Sequence, residues 1–176
     1  GHHVTVYDRV APRFSHEHLQ FVNANLVTDP APLSIAQHDA IVHLAGVSIY
    51  ERWTSLYKQQ IMDSRTKSTA SIVDACRQSE MKPSVFVCAS AVGYYGDQGD
   101  QVLDESASAP TIGTDFLSDV CVAWESVAPQ IEELGIRRVS VRTAIVLGPG
   151  GGMMSKLVPL FTWGLGGRLG NGNQWF

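Results

Sequence analysis

Four clusters of small, polar and aromatic residues recur where short β-rich runs give out. Asp8-Arg9 follows Val4 to Tyr7, and Asn23-Ala24-Asn25-Leu26 follows Leu19 to Val22. His43-Leu44-Ala45-Gly46 closes a run over Ala40 to Ala45, and Ala89-Ser90-Ala91-Val92-Gly93-Tyr94-Tyr95-Gly96 closes one over Val85 to Ala89. In open sheets of parallel strands, small residues with Gly, Ser and Tyr at the carboxyl ends line the crevice where ligands bind. An acidic residue there accepts hydrogen bonds from an adenosine ribose, and a neighbouring Arg pairs with a 2′-phosphate. Asp8 therefore points to NAD, while Arg9 leaves NADP open. Alone, an Asp at a strand end is most often only that, and the three further clusters shift the balance toward a nucleotide. His43 lies inside an apolar run and reads as an ordinary strand residue.

The elements that must position these clusters are legible from periodicity. Ile41 to Ala45 and Val85 to Ala89 are nearly continuous apolar runs, as expected for parallel strands covered on both faces. Val139 to Leu147 reads as a fifth, longer strand. Leu117, Val120, Cys121, Trp124, Val127, Ala128, Ile131 and Leu134 form one helical stripe ending at Gly135, with a kink or break at Pro129. A second helical stretch, from about Thr54 to Gln78, presents Leu56, Ile61, Ile72, Val73 and Cys76 inward. Strands alternating with helices imply a doubly wound α/β fold. Residues 1–150 read as the strand-and-helix domain. Residues 151–176 begin a different region, in which glycines crowd around an apolar segment, Met153 to Trp163, in tight turns against a ligand or another backbone.

Composition narrows the function classes. With 176 residues, 44% apolar and 17% charged, the chain suits one compact domain with a sizeable core. No apolar run approaches the ~18 residues of a membrane helix, and no secretory pattern opens the chain, which reads as cytoplasmic. Cys76, Cys88 and Cys121 are odd in number and set among apolar residues, so they read as buried thiols rather than disulfides or a metal site. A net charge of −4 without a dense basic stretch argues against nucleic acid as a partner.

Leu44-Ala45-Gly46, Ser90 through Gly96, and Arg142-Thr143-Ala144-Ile145-Val146-Leu147-Gly148-Pro149 resemble the matching motifs of extended and atypical short-chain dehydrogenase/reductases. Arg52-Trp53-Thr54, Lys58, Ser64-Arg65, Asp115-Phe116-Leu117, Cys121, Trp124-Glu125 and the glycines from Gly151 onward are similar to one branch, the NAD(P)-binding "epimerase family" proteins. The resemblance implies a Rossmann-like dinucleotide domain with NAD or NADP as cofactor. Asp8 and Arg9 would face the adenosine ribose, Asn25 and Leu26 the adenine, Leu44, Ala45 and Gly46 the dinucleotide backbone, and Val146 the nicotinamide. Ser90 would take the place of the residue that hydrogen-bonds the substrate oxygen, with Tyr94 or Tyr95 beside it.

Two departures qualify that picture. Hydride-transfer members of the wider superfamily pair a Tyr with a Lys one helical turn later, which brings an ammonium beside a phenol of ordinary pKa ~10. None of the five tyrosines here has that Lys, and the equivalent helix carries Phe116, Leu117, Val120 and Cys121. Tyr94 or Tyr95 assisted by Ser90 is then the best local proton donor, with Lys58 or Lys67 as helpers from elsewhere. The second departure is at the front, where the family's first strand and Gly-rich turn are missing. In a sheet ordered 3-2-1-4-5-6 that strand is central, so two neighbouring edges are expected to lie unpaired. The expected function is an NAD(P)-binding oxidoreductase or epimerase-like protein for a small polar substrate, sugars included. The alternative is a dinucleotide sensor or scaffold that has lost turnover.

Overall fold

The computed structural model describes residues 1–29, 34–148, 152–168 and 170–173. β1 (Val4–Asp8) and β2 (Leu19–Asn23) pair in parallel. β3 (Ala40–His43), β4 (Val85–Ala91) and β5 (Arg137–Thr143) form a second parallel sheet, in that order. The fold is thus the expected α/β, Rossmann-like class, divided into two sheets. Among the described residues β1 pairs only with β2, and β3 on one side only, with β4, so the two expected free edges are present. Side chains bridge the division: the imidazole of His38 hydrogen-bonds Thr5 of β1 at 3.0 Å, and Ser71 donates to the Leu26 carbonyl at 2.7 Å.

α1 (Ser55–Gln78) starts at Thr54, whose hydroxyl accepts from the Tyr57 amide at 3.1 Å, an N-cap of the usual kind. It buries Ile61, Ile72, Val73 and Cys76. Leu56, expected inward, is 71% exposed, because it sits in the first turn before the buried stripe begins at Ile61. α2 (Phe116–Val127) is capped by Asp115, which accepts from the Ser118 amide at 2.8 Å. Pro129 cannot donate to the preceding turn, and the chain tightens there into a 3-10 segment, Ala128–Leu134. Gly135 closes that segment through its amide to Glu132 at 3.0 Å.

One core joins these elements: Phe86 and Cys88 of β4, Ile72, Val73 and Cys76 of α1, Trp124 of α2, then Ala128, Ile131 and Ile136, with Leu26 and Ile35 from the β2 side. In β4 the buried residues alternate as Phe86, Cys88 and Ser90, while their neighbours are half-buried. The unbroken apolar runs pointed to strands covered on both faces. In the described residues the helical cover lies on one, and Val42 (60%) and Val141 (41%) remain exposed.

Two strand ends differ from expectation. β5 begins at Arg137, which pairs with Val85, and ends at Thr143, which pairs with Ala91. Ala144 to Leu147 run past the end of β4 and find no ladder. β3 leaves the sheet at the His43 and Cys88 pair, and Leu44 turns to solvent at 72% exposure.

The apolar segment among the glycines forms α3 (Gly152–Thr162), none of whose residues is buried. Pro149, Gly150, Gly151 and Gln174 to Phe176 lie outside the described residues. No helix of the described residues is long and apolar enough to cross a membrane. All three cysteines are free and buried, and burial pushes the thiols of Cys76 and Cys88 up to about 11 and about 12, which keeps them unreactive.

His43 is the buried polar group of β3. Its Nε2 lies 3.1 Å from the hydroxyls of both Ser68 and Thr69. Those hydroxyls donate to helix carbonyls at 2.6 Å, Ser68 to Ser64 and Thr69 to Arg65, so they accept from a protonated Nε2. Burial, with the Arg65 charge as the lesser cause, lowers the His43 pKa to about 4, and the ring stays neutral. It is a structural residue, as its place in the run implied.

Candidate active site

The alternation that buries Phe86 and Cys88 also places Ser90 on the inner face at the carboxyl end of β4, 4% exposed. Its register partner on β5 is Arg142, so the two side chains share a face. Glu125 reaches them from α2, one residue past the buried Trp124. Ser90 Oγ donates to Glu125 Oε1 at 2.6 Å. Arg142 grips the same carboxylate through Nε and Nη2, both at 2.8 Å. Burial works against ionisation of Glu125, but the bonds from Arg142 and Ser90 outweigh it and hold the carboxyl below its usual range. The carboxylate in turn holds Arg142 above its ordinary value.

A 3-10 turn, Val92–Tyr95, follows β4 and folds both tyrosines back over this pair. Arg142 Nη1 donates to the Tyr95 hydroxyl oxygen at 2.9 Å, and its guanidinium carbon lies 3.6 Å from the centroid of the Tyr94 ring. Gly96 makes the exit from the turn possible. Its φ is +63°, and a Cβ there would come within 2.7 Å of Pro110. The Ser90 hydroxyl proton is committed to Glu125. The Tyr95 hydroxyl accepts from a cation, and among the described residues its own proton has no partner.

The structure thus brings Ser90, Tyr94 and Tyr95 together, through two residues to which the sequence reading gave no role, Glu125 and Arg142. A signal was available: each is a charge inside an otherwise apolar pattern, Glu125 beside the buried stripe of α2 and Arg142 midway along a strand. The lysines considered as helpers are engaged elsewhere. Lys67 pairs with Asp63 at 2.7 Å, and Lys58 lies over Phe116 at 4.9 Å.

A second cluster occupies the tips of β1 and β2. Asp8 Oδ1 accepts from its own loop, from the Arg9 amide at 2.6 Å and the Val10 amide at 3.3 Å, and Asn23 donates to the Arg9 carbonyl at 3.0 Å. The Arg9 guanidinium has no partner among the described residues. Asn25 accepts from the Val27 amide at 3.1 Å, whereas the Leu26 side chain belongs to the core. At the tip of β3, Leu44 is exposed, Ala45 packs against the core edge, and Gly46 lies under Arg65. Val146, beyond β5, is 76% exposed.

Parallel strands whose carboxyl tips carry Gly, Ser, Tyr and an Arg without a partner among the described residues make an α/β protein of the Rossmann-like class. The chain belongs to the NAD dependent epimerase/dehydratase family, whose sequence pattern matches residues 1–174. It is 42% identical over 145 residues to "Epimerase family protein Mb2239" of Mycobacterium bovis, covering 82% of this chain and 46% of that protein. It is 40% identical over 139 residues to "Epimerase family protein SDR39U1 homolog, chloroplastic" of Arabidopsis thaliana, covering 78% of this chain and 39% of that one. Among solved structures it resembles the human epimerase family protein SDR39U1 (isoform 2) with NADPH, at TM-score 0.78 and 28% identity over 100% of this chain and 57% of that one. A UDP-glucuronic acid 4-epimerase from Bacillus cereus in complex with NAD shares the fold at TM-score 0.72, with 18% identity over 92% of this chain and 55% of that one. The chain spans about half the length of the curated relatives it matches. The expected epimerase-family branch is therefore the right one, and the expected cofactor, NAD or NADP, agrees with the family's description.

Proposed function

We propose that this chain holds NAD or NADP across its strand tips, in the cytoplasm, and that Tyr95 exchanges a proton with a hydroxyl of a small, polar, sugar-like substrate beside Ser90. The observation that carries this reading is the 2.9 Å bond from Arg142 to the Tyr95 oxygen, with the phenolic proton left unpartnered. A guanidinium at that distance stabilises the negative charge left on the oxygen when the proton leaves. Arg142 does this without a lysine on α2, and Glu125 keeps it aimed. Ser90, its proton committed to Glu125, offers a lone pair to a second hydroxyl of the substrate and so positions the reacting hydroxyl beside Tyr95. The cofactor, when bound, supplies hydride exchange at the carbon that bears that hydroxyl.

The tip of β1 supports NADP over NAD. Asp8 is turned onto its own loop amides, and Arg9 beside it, without a partner among the described residues, would meet a 2′-phosphate. Asn25, Leu44, Ala45, Gly46 and Val146 would line the rest of the dinucleotide path, with Leu26 contributing through its backbone.

A second reading, a dinucleotide sensor without turnover, is favoured by one observation: α2 contains neither a Tyr nor a Lys, so the superfamily's pair is missing from it. The deciding experiment follows cofactor absorbance with the full-length protein over a panel of carbonyl compounds and nucleotide sugars. Turnover that falls at least about 100-fold in Tyr95→Phe supports the enzyme. Cofactor binding with no turnover on any member of the panel supports the sensor.

A further inference from the structure

Arg65 of α1 is a half-buried cation for which neither the fold nor the proton chemistry gives a use. Its Nη1 donates to the Ile61 carbonyl at 3.1 Å and to the Ser64 hydroxyl oxygen at 3.5 Å, and its Nη2 to the Val47 carbonyl at 3.3 Å. The guanidinium carbon lies 5.3 Å from the centroid of the Trp124 ring. Among the described residues no carboxylate pairs with it, and its Nε–H and the second Nη2–H have no acceptor. Burial lowers its pKa, as for a cation that has lost water and gained no counter-charge. The part-buried guanidiniums of Arg138 and Arg142 each meet a carboxylate, Glu132 and Glu125.

Its position narrows what the missing counter-charge is. Arg65 stands against Gly46 at the carboxyl tip of β3, so closely that a Cβ on Gly46 would come within 3.0 Å of the guanidinium carbon. Bare backbone beside a cation with spare donors is a surface for an oxyanion rather than for a neutral ring. Arg65 also lies close enough to Cys121 of α2 for its charge to oppose the rise that burial imposes on that thiol. Positive charge absent from α2 is supplied at this end of the crevice from α1.

We propose that Arg65 receives the diphosphate of the dinucleotide at the tip of β3, with the Gly46 backbone alongside. This rests on the NAD(P) reading given above. Its carbonyl bonds to Ile61 and Val47 aim the fork, and the two remaining N–H groups serve the phosphate oxygens.

The test uses the full-length protein, with NADPH and adenosine 2′-monophosphate as probes and 31P resonances of bound NADPH as the second readout. In Arg65→Gln the NADPH dissociation constant is expected to rise about 10- to 100-fold, the loss of a charge-assisted contact. The monophosphate, which reports the Arg9 end, is expected to stay within about twofold, since it carries no 5′-phosphate. The bound diphosphate resonances are expected to shift in Arg65→Gln. Arg65→Lys, which keeps the charge but loses the fork to two carbonyls, is expected to recover part of the affinity without recovering thermal stability. NADPH affinity unchanged in Arg65→Gln overturns the proposal. So does an equal loss for both probes in Gln and Lys alike, which would mark Arg65 as scaffold only. If Arg65→Gln does not fold, the 31P spectrum of NADPH bound to Arg65→Lys decides: diphosphate resonances unmoved from the unsubstituted protein overturn it. Failure of the unsubstituted protein to bind either NADPH or NADH is a different result. It removes the cofactor reading itself and this inference with it.

Discussion

Arg142 and Glu125 meet through two N–H···O bonds of 2.8 Å, and the pair ties β5 to α2 directly beneath the Tyr94-Tyr95 turn. Their side chains are 18% and 11% exposed, so each charge depends on the other. Removing one partner of such a pair strands the second, at a cost of about 3–5 kcal/mol in a full interior and less at this partial exposure. Glu125→Gln is expected to lower the denaturant midpoint by an amount equivalent to about 2–3 kcal/mol. Arg142→Lys is expected to cost a similar amount, since an ammonium cannot make the fork. Equilibrium urea unfolding measures both. Wild-type stability in either would mean that the pair is an exposed, screened contact.

The same carboxylate sets an acid limit. Glu125 is held below its ordinary range in the folded state, so its contribution is complete above that range and is lost as pH falls through the folded value. Glu125→Gln is expected to remove that segment of the pH-stability curve, measured as thermal midpoint against pH.

His43 acts in a higher window. Its folded pKa of about 4 lies below the unfolded 6.5, so only the unfolded chain binds the proton between those values. Stability is therefore full above pH 6.5 and falls as pH drops toward 4, by about 3 kcal/mol at most. His43→Gln is expected to flatten the curve over that window while lowering stability at neutral pH, because the Ser68 and Thr69 contacts change. A curve of unchanged slope in the variant would show that another group titrates there.

Arg9 is expected to separate the two cofactors. Arg9→Ser weakens NADPH by about 10- to 100-fold, the range of a charge-assisted contact, and leaves NADH within about twofold. Competition titration with the two nucleotides reads this directly. Equal effects on both would place Arg9 away from the 2′-phosphate.

Much of this arrangement was legible in the chain because periodicity and punctuation are local properties. The α2 stripe from Val120 to Ile131, its interruption at Pro129 and the thiol burial needed only residue types at fixed spacing. The parallel pairing followed from alternating strands and helices. Strand ends were less legible, because a ladder stops where its neighbour stops: Val146 and Leu147 are as β-prone as Val139, but β4 ends opposite Thr143. The covered face was misjudged for a related reason, since an apolar run such as Ile41 to Ala45 does not say how many helices reach it. At the candidate site, Ser90, Tyr94 and Tyr95 could be grouped from the sequence because they fall within six consecutive residues. Glu125 and Arg142 acquire their roles only in three dimensions, from a register pairing and a helix that crosses it.

The central claim, that these strand tips hold a pyridine dinucleotide, is tested most directly by calorimetric titration of the full-length protein with NADPH and with NADH. The predicted result is one-site binding in the micromolar range, tighter for NADPH. Absence of heat and of competition for both nucleotides up to millimolar concentration, in protein shown to be folded, would contradict it.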